Sequence, residues 1–172
     1  MKDNSLVVLG VGRVGLPLAL VFADVGFDVS GIDVDPFRVT MLEKKVLPFF
    51  EEDAEELLKK YSGNKFNIYG KEHFDRVIGE SKYIVITLGT PMDENHNPDH
   101  RQIDGLIRQV LPVLSKGHVL ILRSTISPGT TERLVRVIEE STRFKVGEDI
   151  FLAYCPERIA EGKAVKELRE IP

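Results

Sequence analysis

Three glycines near the start of the chain have the spacing of a phosphate-binding turn. They belong to a segment that directly follows an apolar run and consists of Gly10, Val11, Gly12, Arg13, Val14 and Gly15. The first glycine allows a tight turn, the second lets a pyrophosphate approach the backbone, and the third lets helix and strand pack closely. Free N–H groups at the start of the next helix would face the phosphate charge. The segment therefore predicts a dinucleotide site, and the alternative is a tight turn without a ligand.

A carboxylate and a cation follow the glycines at the next predicted strand end. Asp33 ends that strand, where an acidic residue accepts hydrogen bonds from adenosine ribose hydroxyls and repels a 2′-phosphate. This favours NAD over NADP. Arg38 nearby is the opposing signal, because a cation there could hold a 2′-phosphate. The competing interpretation of Asp33 is a helix cap or turn.

Hydroxyls and carboxylates follow two later strands. Ser124 and Thr125 could reach a nicotinamide ring or an ordered water above it. Glu157 and Glu161 lie four residues apart, so both would face one side if their loop turns helically. A carboxylate beside a cofactor can act as a base or orient a water. The alternatives are helix capping for the hydroxyls and a solvated surface for the glutamates.

Six short apolar runs alternate with amphipathic helical patterns and must position these groups. The predicted strands cover residues 6–9, 28–32, 66–69, 83–88, 119–122 and 150–154. Such alternation predicts a parallel sheet covered by helices on both faces. We expect an α/β fold with a doubly wound six-stranded sheet in the order 3-2-1-4-5-6, a Rossmann fold. The first helix should include Val25 and end at Gly26, and Pro112 should end a later one.

The composition limits the classes of partner. The 172 residues carry 27 acidic and 23 basic side chains, a net charge of −4, which argues against nucleic-acid binding. No apolar run reaches the roughly 18 residues of a membrane helix, and no leader opens the chain. A single cysteine cannot form an internal disulfide, so the cytoplasm is the expected compartment.

Three other features are expected to be structural. Cys155 follows an apolar strand and is predicted to be a small buried hydrophobe. His96 and His100 lie in a polar loop without a third ligand, so no metal site is expected. The acidic run 51–56 is predicted to be a solvated helix start.

Taken together, four motifs resemble the NAD-binding domain of the nucleotide-sugar dehydrogenases, the UDP-glucose and UDP-N-acetylmannosamine 6-dehydrogenase family. They are the glycine segment and residues 89–91, 123–131 and 154–162, and they extend over essentially the whole chain. The family oxidises a sugar C6 alcohol to a carboxylate in two hydride transfers, with two NAD and one water. The resemblance therefore implies NAD as cofactor and a UDP-sugar as substrate.

The resemblance also implies roles for individual residues. Residues 10–15 would cradle the pyrophosphate, and Asp33 and Arg38 would hold the adenosine ribose. Thr90 would line the cofactor cleft and Thr125 would position the catalytic water, with Ser124 and Thr125 as further cofactor-binding candidates. Glu157 matches the family's acid/base residue, and Glu161 the residue at the nicotinamide end. The stretch that would also touch the sugar is Glu157, Arg158, Ile159, Ala160 and Glu161.

The sugar and the extent of the chain are further expectations. The polar loop 91–99, Arg123 and the stretch 155–159 look like the N-acetylhexosamine branch, which favours UDP-N-acetyl-D-mannosamine over UDP-glucose. The family's nucleophilic cysteine lies in a second domain, and Cys155 is in the wrong segment to match it. We expect residues 1–172 to form one NAD-binding domain leading to that missing domain. Alone it should bind NAD without turnover and be monomeric, whereas the full-length protein should form a homodimer or higher oligomer.

Two other functions remain open from the residues. A β-hydroxyacid or 6-phosphogluconate type dehydrogenase has a similar first domain but should lack the Pro-Glu-Arg-x-x-x-Gly segment 156–162. A non-catalytic module that senses NAD(H) would need Gly12 and Asp33 but neither Thr125 nor Glu157.

Overall fold

A single parallel sheet organises the chain in the computed structural model, which describes residues 1–89 and 101–170. The strands are β1 Ser5–Leu9, β2 Asp28–Asp33, β3 Phe66–Gly70, β4 Tyr83–Ile86, β5 Val119–Leu122 and β6 Phe151–Tyr154. The helices are α1 Gly15–Asp24, α2 Pro36–Glu43, α3 Ala54–Tyr61, α4 Phe74–Glu80, α5 Arg101–Val110, α6 Thr130–Ser141 and α7 Ala164–Glu170. Short 3₁₀ turns cover Lys71–His73 and Leu111–Val113.

The strand order is β3-β2-β1-β4-β5-β6 with every pairing parallel, which confirms the predicted doubly wound Rossmann fold. Leu6 of β1 pairs with Val29 on one side and with Tyr83 on the other. The order of the strands along the chain reverses between β1 and β4. A crevice therefore opens at the carboxyl ends of these two strands, where ligands bind in open α/β sheets.

Alternate residues of β1 enter two separate cores, one on each face of the sheet. Leu6 and Val8 belong to the cluster that includes buried residues of α1, α3 and α7. Val7 and Leu9 belong to the cluster with α4, α5 and α6. Because successive strand side chains point to opposite faces, a central strand covered on both faces must be apolar throughout. All five residues of β1 are buried.

Several boundaries differ from the predicted ones. Helix α1 ends at Asp24, and Val25 is its 65% exposed C-cap rather than part of the apolar face. Gly26 then takes a φ of +104°, which a glycine adopts without strain. Strand β4 ends at Ile86, two residues before the predicted end at 88. Helix α5 ends at Val110, before Pro112, as predicted.

The structure corrects the prediction for the last strand, because residues 150–154 were predicted to form a buried strand. β6 lies at the edge of the sheet, where Phe151 and Tyr154 are exposed. Cys155, which follows β6, is exposed as well, so the prediction of a buried thiol is wrong. The physical reason is that, among the described residues, β6 pairs with β5 alone, so its side chains have a neighbouring strand on one side and none on the other.

The interpretation of the acidic run 51–56 as solvated is wrong for Glu51, because this residue is only 4% exposed. Its carboxylate accepts hydrogen bonds from the N–H groups of Gly162 at 3.0 Å and Ala164 at 2.6 Å. These donors lie at the start of α7, where the first backbone N–H groups have no intrahelical acceptor. Glu55 and Glu56 do lie in the first turn of α3, as predicted.

Within residues 1–89 and 101–170, no helix has the length and apolar character needed to cross a membrane. The same residues contain no group of three or more His, Cys, Asp or Glu side chains arranged to hold a metal ion.

Candidate functional site

The glycine turn joins β1 to α1, and its shape requires Gly10 and Gly15. Gly10 has a φ of +94°, and its N–H donates to the Ile32 carbonyl at 2.8 Å. A Cβ on Gly15 would lie 1.9 Å from the Gly10 carbonyl oxygen and 2.7 Å from Thr87 Oγ1. Any side chain at Gly15 would therefore push strand and helix apart, which is the packing role predicted for this residue.

Gly12 differs, because a Cβ there would meet no atom within 4 Å. Packing within the protein therefore does not explain the missing side chain, whereas close approach of a ligand does. Among the described residues, no side chain caps the N-terminus of α1, whose N-cap is Val14. Within the first turn, Leu16 N donates to the Gly12 carbonyl oxygen at 2.9 Å and Pro17 has no N–H, so the donors left for an anion are the backbone N–H groups of residues 12–15.

A cleft of about 560 Å³ opens beside this turn, a volume suited to a small molecule. Its walls come from the carboxyl ends of the three central strands and from α5. The lining residues include Gly10, Gly12, Asp33, Val34, Arg38, Lys71, Phe74, Thr87, Leu88, Gln102 and Leu106. The cleft lies at the reversal of strand order, where the topology predicts a ligand.

Asp33 is 4% exposed and connects the glycine turn to the end of β2. Its Oδ2 accepts hydrogen bonds from Val11 N at 2.9 Å and Arg38 Nη1 at 2.7 Å, and its Oδ1 accepts one from Asp35 N at 3.0 Å. An ionised carboxylate can accept about four hydrogen bonds, so capacity remains for a ribose hydroxyl. Of the alternative interpretation, the helix cap is wrong, because Asp35 caps α2 through Phe37 N, whereas the bond from Asp35 N to Asp33 Oδ1 is a turn of the kind that the alternative named.

The residues around the cleft fit the predicted dinucleotide. The open side of Gly12 admits a pyrophosphate, the uncapped helix attracts its charge, and Asp33 stands at the ribose position. Arg38 does not point away as a free cation, because it forms ion pairs with Asp33 and, at 3.7 Å, with Asp35. This pairing offsets the charge that a 2′-phosphate would need.

Thr87 was not predicted from the sequence. Its Oγ1 lies 2.6 Å from the Gly10 carbonyl oxygen and 3.0 Å from that of Leu9, so the hydroxyl links β4 to the glycine turn. Its signal was its place at the end of a central strand, next to the reversal of strand order. The overlong prediction for β4 hid that signal, because it placed Thr87 inside the strand.

The two hydroxyl residues after β5 have different surroundings. Ser124 is buried, with its Oγ 3.4 Å from the Ile86 carbonyl oxygen, whereas Thr125 is exposed. Neither caps a helix, because α6 begins at Thr130 and its N-cap is Gly129. The capping alternative is therefore wrong, and the exposed Thr125 hydroxyl lies at the carboxyl edge of the sheet.

Glu157 is not the solvated carboxylate that the alternative interpretation would require. Its side chain is 12% exposed, and its Oε1 accepts hydrogen bonds from Arg158 N at 2.6 Å and Ile159 N at 2.7 Å. Its Oε2 lies 2.8 Å from Nε of Arg123, as an ion pair without the alignment of a linear hydrogen bond. Both carboxylate oxygens are thus held by the protein.

Glu161 points elsewhere, because residues 155–160 do not turn helically as the shared-face prediction required. Its carboxylate is exposed and lies 3.6 Å from a guanidinium nitrogen of Arg13 in the glycine turn. The Arg13 guanidinium also stacks over the Phe49 ring at 5.2 Å. The segment after β6 therefore reaches the phosphate-binding turn through Glu161 rather than through Glu157.

The other predicted site residues differ in exposure. Arg158 and Ala160 are exposed, and Ile159 between them is half-buried. Thr90 and most of the polar loop, with His96 and His100, lie outside the described residues. Cys155 Sγ lies 3.1 Å from Nη1 of Arg123, a contact that no pattern in the sequence indicates.

Comparison with known proteins gives a family. The UDP-glucose/GDP-mannose dehydrogenase family, NAD binding domain, matches residues 4–172. UDP-N-acetyl-D-mannosamine dehydrogenase of Pyrococcus horikoshii is 34% identical over 166 residues, covering 95% of this chain and 38% of that protein. UDP-N-acetyl-D-glucosamine 6-dehydrogenase of Pseudomonas aeruginosa is 34% identical over 163 residues, covering 94% and 37%. The chain thus spans less than two fifths of the length of these curated relatives.

Comparison with solved structures agrees with the family found from the sequence. The UDP-N-acetyl-D-mannosamine dehydrogenase of Pyrococcus horikoshii has a TM-score of 0.87 at 33% identity, covering 95% of this chain and 38% of that one. A ternary complex of GDP-mannose dehydrogenase from Pseudomonas aeruginosa has a TM-score of 0.85 at 25% identity, with the same coverage. A 3-hydroxyisobutyrate dehydrogenase from Mycobacterium tuberculosis, at 0.61 and 16% identity over 96% of this chain and 43% of that one, shares the fold alone.

Proposed function

The chain belongs to the UDP-glucose/GDP-mannose dehydrogenase family as its NAD-binding domain, and on that premise we propose that it is the cofactor-binding part of a nucleotide-sugar 6-dehydrogenase. The reaction is oxidation of the C6 alcohol of a UDP-sugar to the uronate, with two NAD and one water. The observation that carries the proposal is the open face of Gly12 beside the buried Asp33, with the Glu161 segment tied to the same turn.

The cofactor is held by this chain's backbone and two charged side chains. The turn of residues 10–15 cradles the pyrophosphate with the N–H groups that follow Val11, because those of Gly10 and Val11 already donate to Ile32 and Asp33. Asp33 with Arg38 binds the adenosine ribose. The proposed contacts of the nicotinamide are Ser124 and Thr125 after β5, together with Thr90, which lies outside the described residues. The bound cofactor supplies the acceptor for the hydride that leaves C6. The pairing of Asp33 with Arg38 at 2.7 Å supports NAD over NADP, because the cation is already engaged.

The catalytic roles fall to residues after β5 and β6. Thr125 orients the attacking water with its exposed hydroxyl, and Glu157 transfers the proton as acid and base. The resemblance assigns Glu161 to the nicotinamide end, whereas in this structure its carboxylate lies 3.6 Å from Arg13 of the glycine turn. Residues 157–161 contact the sugar. The burial of Glu157 and its contact with Arg123 support this assignment, since a functional carboxylate needs a defined orientation.

The proposed sugar is UDP-N-acetyl-D-mannosamine rather than UDP-glucose. Two observations support it: the N-acetylhexosamine-like segments at Arg123 and 155–159, and relatives named UDP-N-acetyl-D-mannosamine dehydrogenase. A relative named for UDP-N-acetyl-D-glucosamine is equally identical at 34%, so the assay must include that sugar.

The whole protein's properties are part of the same proposal. Residues 1–172 form one NAD-binding domain, and the nucleophilic cysteine belongs to another domain of the natural protein. The chain alone therefore binds NAD without turnover and is monomeric, whereas the complete protein is a homodimer or a higher oligomer in the cytoplasm. This chain covers 38% of the relative from Pyrococcus horikoshii, which supports the assignment of NAD binding and of the nucleophilic cysteine to different domains.

Two measurements test the proposal. Calorimetry on the 172-residue chain should detect NAD binding, and no NADH should form when any nucleotide sugar is added. The protein encoded by the complete gene should form NADH, fastest with UDP-N-acetyl-D-mannosamine among that sugar, UDP-N-acetyl-D-glucosamine, UDP-glucose and GDP-mannose. A chain that ignores NAD, or a complete protein inactive with all four sugars, would contradict it.

A further inference from the structure

One side chain holds the strand end that carries Glu157. The guanidinium of Arg123 places Nε 2.8 Å from Glu157 Oε2 and Nη1 3.1 Å from Cys155 Sγ. The same Nη1 lies 3.3 Å from the Pro156 carbonyl oxygen and 3.4 Å from that of Cys155. Three consecutive residues, 155 to 157, are therefore held by one cation.

The backbone of Arg123 is fixed at the end of the sheet, so its side chain can orient the segment after β6. Its backbone N–H donates to the Ile86 carbonyl at 2.9 Å, so its own backbone is fixed at the end of the sheet. It directly precedes Ser124 and Thr125 in the chain. The guanidinium thus links the strand end that bears the water-orienting hydroxyl to the strand end that bears the acid/base carboxylate.

Residues 155–160 after β6 belong to no helix or strand. Cys155 N donates to the Leu122 carbonyl oxygen at 2.9 Å, so backbone bonding to β5 holds residue 155 but not the Glu157 side chain. Regular hydrogen bonding does not fix the direction of the Glu157 side chain. Its Oε1 is held by two N–H groups of its own loop, which orient the carboxylate relative to the loop only. Its Oε2 is held by Arg123, which orients it relative to the sheet.

Burial increases the effect of losing the Arg123–Glu157 ion pair. The Arg123 and Glu157 side chains are 14% and 12% exposed, so little water can replace a lost partner. A guanidinium offers five N–H donors in a rigid fork and can reach a carboxylate and two carbonyls together. A lysine ammonium can retain the charge but not this geometry.

We propose that Arg123 is a positioning residue for the reaction, which aims the Glu157 carboxylate into the active site by clamping residues 155–157 to the end of β5. The proposal rests on the proposed function, since it takes Glu157 as the acid/base group. It assigns Arg123 no contact with NAD, so cofactor affinity should not depend on it.

The test uses the protein encoded by the complete gene and the variants Arg123→Ala and Arg123→Lys. A misplacement of about 1 Å can cost on the order of 100-fold in rate, so Arg123→Ala should lower kcat by about 10- to 100-fold. The Kd for NAD should stay within about twofold of the wild type, because the clamp lies outside the cofactor contacts. Arg123→Lys should recover part of the lost kcat. Arg136→Ala, at an exposed position of α6, is the matched control and should leave kcat unchanged.

The outcomes separate the two proposals. Addition of free guanidinium at non-denaturing concentration should restore part of the kcat of Arg123→Ala, which a purely structural role would not predict. Unchanged kcat in Arg123→Ala, or equal losses of kcat and NAD affinity without rescue, would overturn the role of Arg123 alone. If Arg123→Ala does not fold, Arg123→Lys decides: reduced kcat with intact NAD affinity supports the clamp, and wild-type kcat overturns it. A wild type inactive with every nucleotide sugar overturns the proposed function and this inference together.

Discussion

Gly12 and Gly15 lack a side chain for two different reasons, although they belong to the same motif. At Gly15 the space is filled by the protein itself, since a Cβ would overlap the Gly10 carbonyl oxygen. At Gly12 the space is empty, and the open side faces the cleft. At the scale of single residues, stability and ligand binding should therefore respond separately to substitution at these two positions.

Substitution by alanine tests this separation. Gly15→Ala should lower the free energy of unfolding by about 1–3 kcal/mol, the usual cost of overpacking. Gly12→Ala should change the free energy of unfolding by less than about 1 kcal/mol, yet weaken NAD binding at least about tenfold, because the methyl group occupies the phosphate position. Urea unfolding and calorimetry measure the two effects.

Gly79→Ala is the control for this pair, since a Cβ there also meets no atom within 4 Å but lies in α4. It should retain both stability and NAD affinity. Wild-type NAD affinity in Gly12→Ala would count against the placement of the pyrophosphate.

His118 makes stability depend on pH. The residue is fully buried, Ser115 N donates to its Nδ1 at 3.0 Å, and burial lowers its pKa below the ordinary 6.5, against opposing carbonyls at Ile78 and Ser81. The unfolded chain therefore binds the proton more readily than the folded one. The stabilisation is complete above pH 6.5 and declines as the pH falls toward the lowered folded value, by at most about 1.4 kcal/mol per pH unit.

His118→Asn should flatten this decline, because asparagine can accept the Ser115 N–H bond but does not titrate. Urea unfolding about one pH unit above and one below 6.5 measures the difference between the variant and the wild type. His73→Asn, at an exposed histidine, is the control and should retain the wild-type pH dependence. Equal slopes for His118→Asn and the wild type would refute the assignment.

At the scale of elements, α7 illustrates how a short helix is held in place. Ala164 and Val165 of this helix are buried, and Val165 belongs to the core that also contains α1. A helix of this length is not stable by itself, so its position depends on tertiary contacts. Glu51, from the loop before α3, supplies the acceptor for its first N–H groups and so fixes where the segment after β6 returns to the sheet.

Removal of that acceptor should destabilise the fold. Glu51→Ala leaves buried N–H groups without a partner and should lower the free energy of unfolding by about 1–3 kcal/mol. Glu51→Gln keeps a carbonyl acceptor and should lose less. Glu55→Gln, at an exposed acid of α3, should change it by less than about 0.5 kcal/mol. Urea denaturation at neutral pH measures all three, and equal stability of Glu51→Ala and Glu55→Gln would disprove the capping role.

At the scale of the whole molecule, ligand binding is coupled to folding, because the cleft lies between the ends of separate strands. The cleft is lined by β1, β2, β4 and α5, so an unfolded chain offers no such site. A ligand that binds only the folded state stabilises it in proportion to the logarithm of its concentration over Kd.

NAD at about 100 times its Kd should therefore raise the free energy of unfolding by about 2.7 kcal/mol. For a chain of this length, that corresponds to a rise in Tm of roughly 5–10 °C. Differential scanning calorimetry measures it, and Gly12→Ala at the same NAD concentration is the control. Its rise should be about half as large or smaller, because a tenfold weaker Kd leaves about 1.4 kcal/mol. An unchanged Tm of the wild type at saturating NAD would contradict the proposed site.

The strand order, the glycine turn and the position of Asp33 at the end of β2 could be predicted from the amino-acid sequence alone. These features follow from local patterning and short spacing: apolar runs alternate with helical patterns, and Gly10 and Gly15 must adopt one compact turn. Residue types with a single strong steric or periodic requirement can be interpreted without knowing their neighbours in space.

Only the tertiary structure decided the roles of Glu51 and Arg123 and the exposure of Cys155. Glu51 meets Gly162 across 111 positions of the chain, and Arg123 meets Cys155 across 32. No periodicity records such a meeting, because a charged side chain has the same local pattern whether it faces water or a distant backbone. Its partner is set by how separate strands end at the same edge of the sheet, and that edge forms only when the chain folds.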